Sequence, residues 1–119
     1  MADDQYEREI RAARNQSMFR AINEKMREVN AAFGAASETF VIACECADVA
    51  CVETLDIKPA EYEAIRREPD EFAVRTGHLY LDVEDVVEER PGYTVVRKKA
   101  AGADFAEAAD PRSLWQPDD

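Results

Sequence analysis

Three cysteines within eight residues, Cys44-Glu45-Cys46 followed by Cys51, constrain this chain more than any other feature. They are the only cysteines, their number is odd, and Cys44 and Cys46 are too close in sequence to pair comfortably with each other. A metal site in a reducing compartment explains them better than disulfides do. Zinc takes four soft or borderline donors in a tetrahedron, with Zn–S bonds of about 2.3 Å. A tight turn between two strands aims several side chains at one point, so the cluster predicts a knuckle. The fourth donor is sought elsewhere, and the only histidine is His78. Gly77 precedes it and lets the backbone approach a crowded site. Three thiolates, one neutral imidazole and Zn²⁺ sum to a single negative charge. Cys44, Cys46, Cys51 and His78 are therefore the candidate ligands, with Glu45, Asp48, Glu53 and Asp82 as reserve donors.

The surrounding pattern predicts an α+β fold: a long N-terminal helix, a small and mostly antiparallel sheet, one short helix and the zinc knuckle. Residues 5–33 read as the long helix. Ile10, Met18, Ile22, Met26, Val29 and Phe33 fall on one apolar stripe, expected to pack on the body or on a second chain. Asp3 or Asp4 caps its start, Gly34 marks its end, and its arginines, Arg20 among them, form a polar face. Thr39-Phe40-Val41-Ile42-Ala43 reads as a strand leading into the cysteines, and residues 52–57 as a second. Pro59 opens a helix that runs to Glu68, followed by a strand at residues 72–74. Residues 83–89 and 93–99 flank Arg90-Pro91-Gly92 and form a hairpin with a type II turn, although residues 83–87 also fit a helical turn. Arg97-Lys98-Lys99 is expected to be solvated or to protect a sheet edge. Residues 102–119 read as a frayed acidic tail carrying Trp115. The division is a helix at 1–34, a body at 35–101 and a tail at 102–119.

Net charge narrows the partners. The chain of 119 residues carries −11, and residues 1–30 are neutral, so residues 31–119 hold the whole excess. A body this acidic repels phosphate backbones, which excludes nucleic acid as its expected partner. The start of the chain lacks the basic and then apolar pattern of a signal peptide, and no apolar run approaches the roughly 20 residues that span a bilayer. A cytoplasmic protein without membrane contact is expected.

The order of motifs resembles an uncharacterised family of small bacterial proteins. The matching residues are Ala13-Arg14-Asn15, Phe40-Val41, Cys44/Cys46/Cys51, Glu61-Tyr62, Gly77-His78, Val86-Val87 and Val95-Val96. The resemblance implies that Gly77-His78 belongs to the site, and it implies no activity. The cysteine spacing alone is similar to the zinc cluster that follows SET methyltransferase domains. No SET domain fits in this chain.

These features predict a zinc-stabilised interaction or regulatory module, contacting a protein partner or a second copy through the N-terminal helix. A thiol-based redox or zinc sensor is the alternative, and a small zinc enzyme using Glu45 or Glu53 as acid or base is the third. The deaminase and metalloprotease zinc motifs are absent from the sequence, so no catalytic residues are assigned.

Overall fold

The structure is a computed structural model and describes residues 2–32 and 38–114. The chain runs through α1 (Ala2–Ala32), β1 (Phe40–Ala43), β2 (Thr54–Ile57), α2 (Pro59–Arg66), β3 (Glu71–Arg75), β4 (Glu84–Arg90), β5 (Tyr93–Lys98), α3 (Ala100–Ala109) and α4 (Pro111–Leu114). The fold is α+β, as expected. Its strands form two antiparallel sheets rather than one: a β1–β2 ribbon and a three-stranded sheet in the order β3-β5-β4.

In the ribbon, Phe40 pairs with Ile57 and Ile42 with Leu55. These four side chains face inward, while Val41, Thr54 and Asp56 face out. The second strand is shorter than the sequence suggests, because Val52 is 88% exposed and stands outside the ladder. Pro59 sits at the first turn of α2, where its missing N–H is of no consequence. The β4–β5 hairpin turns at Pro91-Gly92 with Gly92 at φ +88°, the geometry a type II turn requires of its third residue. Residues 84–90 are strand, which settles the helical alternative there.

The larger sheet is covered on both faces. Ala73, Tyr93 and Val95 join Phe40, Ile42, Leu55, Ile57, Tyr62 and Ile65 in one core. Phe72, Val74 and Val96 join Cys44, Cys46 and Ala106 in the other. The cysteines therefore sit inside the second core, beneath the sheet.

The long helix corrects the sequence reading. It packs on the body, but not through the predicted stripe: Met18, Ile22, Met26 and Val29 are between 37% and 56% exposed. The buried face instead holds Ala12, Ala13, Gln16, Ser17, Phe19, Arg20 and Asn23. Arg20, assigned to the polar face, is fully buried. Its guanidinium donates to the carbonyls of Pro69 and Ala106 and lies 4.6 Å from the centre of the Phe72 ring. Small residues allow α1 and α3 to approach closely. A side chain at Gly102 would meet the Glu9 carbonyl at 3.2 Å. Phe33 and Gly34 lie outside the described residues. Asp3 and Asp4 fall within α1 rather than before it.

The tail is also corrected. Residues 100–109 and 111–114 are helical, and Gly102, Ala106 and Asp110 are buried. The boundary drawn at residue 102 cuts through α3, while Trp115 lies outside the described residues. Lys98, grouped with solvated cations, is buried opposite Glu84.

This packing predicts a contrast. Ile22→Asp is expected to change stability by less than about 1 kcal/mol, as for surface substitutions. Ala13→Asp, at the contact with α3, is expected to unfold the chain by burying an unpaired charge. Urea melts followed by circular dichroism check both.

Candidate metal centre

The cysteine segment continues directly from β1. The Cys44 amide donates to the Glu53 carbonyl at 3.0 Å, adding one rung beyond the ladder. The chain then reverses. The Asp48 carboxylate accepts from the Ala50 amide at 2.9 Å, and the Cys51 amide donates to the Asp48 carbonyl at 3.0 Å. This turn carries Cys51 back beside Cys44 and Cys46, forming the knuckle. His78 arrives separately. After β3 the His78 amide donates to the Arg75 carbonyl at 2.9 Å, and Gly77 adopts φ +91°, a left-handed conformation that favours glycine. That turn, rather than pairing between β2 and β3, brings the imidazole to the cysteines.

His78 Nδ1 lies 3.6 Å from Cys44 Sγ and 3.7 Å from Cys51 Sγ. One ligand atom from each of Cys44, Cys46, Cys51 and His78 falls within 4.8 Å of all the others. Zinc bonds of about 2.3 Å to sulfur and 2.0–2.1 Å to nitrogen give tetrahedral edges of roughly 3.5–3.8 Å. The two N–S separations match such edges, so the donor set fits a tetrahedral zinc ion with His78 ligating through Nδ1. Cys44 and Cys46 are buried, while Cys51 and His78 are partly exposed.

The electrostatics suit a cation. The crowding of Cys44 against Cys46 pulls the Cys46 thiol down and holds Cys44 above its ordinary value. Burial raises Cys51. Three crowded sulfurs thus compete for protons, and a divalent cation relieves that competition by replacing them. The Arg75 amide also donates to Cys44 Sγ at 3.2 Å. Such N–H···S contacts disperse thiolate charge and fix the sulfur's direction.

The reserve donors stand outside this group. Asp82 pairs with Arg8, Asp48 closes its own turn, and the Glu53 carboxylate is 3.8 Å from Arg75. Glu45 is buried and accepts hydrogen bonds from Asn23 and the Ala73 amide, and burial raises its carboxyl above the usual range. The Arg75 amide and the roles of Asn23 and Glu45 were missed by sequence reasoning. Only the position of an acid between two cysteines hinted at the last.

Among the described residues, no helix is long and apolar enough to cross a membrane. No protein-family model, no curated protein and no solved structure matches the chain.

Proposed function

We propose that Cys44, Cys46, Cys51 and His78 bind one Zn²⁺ ion, which staples the fold of a small interaction or regulatory module. The approach of His78 Nδ1 to two cysteine sulfurs carries this reading. Four protein ligands close the coordination shell, as in structural sites, whereas catalytic zinc keeps a position open. Glu45 and Glu53, the acid–base candidates, hold other partners, which favours a module over an enzyme. The interaction part rests on the outward stripe of Met18, Ile22, Met26 and Val29, which suits a protein partner or a second copy. The acidity of residues 31–119 favours protein over nucleic acid.

Protein purified without chelator is expected to carry about one zinc per chain by elemental analysis. Cobalt exchanged into the site should show thiolate charge-transfer absorption and the visible bands of a tetrahedral ion. Metal-free protein that also fails to take up zinc or cobalt would end the metal reading.

The half-exposed Cys51 favours one second reading, a redox sensor. An oxidant meets this sulfur first, and its oxidation removes a ligand. Dilute peroxide should then release zinc within minutes, and thiol reductant should restore binding. Slow, irreversible release leaves the structural role alone.

A further inference from the structure

We infer that Asn15, Asn23 and Glu45 are positioning residues for the metal cluster, so that metal occupancy and the docking of α1 are linked; this rests on the zinc reading above. Residues 43–47 alternate in what holds them. Cys44 and Cys46 point to the cluster. The intervening residues 43, 45 and 47 are all held by α1. The Ala43 amide donates to Asn23 Oδ1 at 2.8 Å, and the Ala43 carbonyl accepts from Asn23 Nδ2 at 2.8 Å. Glu45 Oε2 accepts from the same Nδ2 at 2.8 Å, and the Ala47 carbonyl accepts from Asn15 Nδ2 at 2.9 Å. Metal ligands and helix therefore grip opposite sides of one five-residue segment.

The spacing fits this role. Asn15 and Asn23 are eight helical residues apart, a rise of about 12 Å. Residues 43 and 47 are four apart, about 13 Å of extended chain. The helix runs antiparallel to the segment and holds its two ends in step. Glu45 extends the grip to β3: its Oε1 accepts from the Ala73 amide at 2.9 Å, and its own amide donates to the Ala73 carbonyl at 2.9 Å. β3, which leads toward His78, is thereby set against the cysteine segment that follows β1. A metal that fixes the even residues presents the odd ones to α1, and docked α1 presents the sulfurs to the metal. Whatever factor one event contributes to the other, the reverse effect is equal.

The test measures zinc affinity of the full chain by competition with a chromophoric chelator. Asn23→Ala is expected to raise Kd by about tenfold to hundredfold, the range for partners that orient metal ligands. Asn15→Ala, which removes one half-buried hydrogen bond, should give a smaller rise and serves where Asn23→Ala fails to fold. Ile22→Ala is the control, because Ile22 lies on the outward face of the same helix, away from the cysteine segment; its Kd should stay within about threefold of wild type. Hydrogen exchange of the unmutated chain gives an independent reading. Stripping zinc should accelerate exchange of amides 12–27 in α1 more than those of the β4–β5 hairpin. If wild type binds zinc, both asparagine variants bind it equally well, and α1 exchange ignores the metal, the coupling is wrong while the zinc site stands. If wild type binds no zinc or cobalt, both fall together.

Discussion

Cys46→Ser is expected to lose most of its zinc and to melt at least about 10 °C below the zinc-loaded wild type. Serine oxygen is a harder and poorer zinc donor than thiolate, so one substitution removes a ligand with little change in shape. On the zinc reading, the metal's contribution to folding is large. Structural zinc in small domains supplies apparent binding energies of about 10–16 kcal/mol, against total domain stabilities of about 5–15 kcal/mol. A larger body than a zinc finger keeps part of its fold without metal, so the expected loss is several kcal/mol rather than all of it. Each kcal/mol corresponds to roughly 4 °C at this size. The decisive comparison is with chelator. Wild type stripped of metal should melt near Cys46→Ser, and chelator should not lower the variant further. A variant that melts low while chelator leaves wild type untouched would show that Cys46 acts only through packing. Lower pH should weaken the site, because protons compete for all four ligands.

The cluster of Cys44, Cys46, Cys51 and His78 was legible because its chemistry is local and sparse. Three sulfurs within eight residues have few explanations, and Gly77-His78 was the only imidazole available to complete them. The β4–β5 hairpin was legible for a similar reason, since Pro91-Gly92 dictates its turn. The packed face of α1 was not. Gln16, Arg20 and Asn23 are polar, and burying them becomes tolerable only through partners distant in sequence: Glu84, the carbonyls of Pro69 and Ala106, and the Ala43 backbone. Apolar periodicity instead picked out the opposite, exposed stripe. The α3 helix was hidden because its contribution is closeness rather than bulk. Gly102 and Ala106 bring it against α1 and the second core, while a run of alanines looks featureless in sequence. In β3 and β5 both faces are covered, so the alternation that marks a half-buried strand is missing.

Lys98→Ala is expected to destabilise the fold by about 3–5 kcal/mol, the range for removing one partner of a buried ion pair. Lys98 and Glu84 stand opposite each other in the β4–β5 register, and both side chains are 0% exposed. Their Nζ and Oε1 atoms are 3.4 Å apart. Burial pushes the Lys98 ammonium down, with Glu84 as the main opposing influence. Glu84 also accepts from the Gln16 amide at 3.1 Å and from the Tyr80 backbone amide at 3.0 Å, so it ties α1, the loop after His78 and β5 to one point. Truncating Lys98 leaves a buried carboxylate with hydrogen bonds but no counter-charge. Lys98→Met with Glu84→Gln removes both charges while retaining an oxygen for the Tyr80 amide. The double variant should lie closer to wild type than the two single effects sum to, with a coupling of about 1–3 kcal/mol in denaturant melts. A Lys98→Ala variant within about 1 kcal/mol of wild type would mean that water reaches Glu84 and that this pair does not anchor α1 to the sheet.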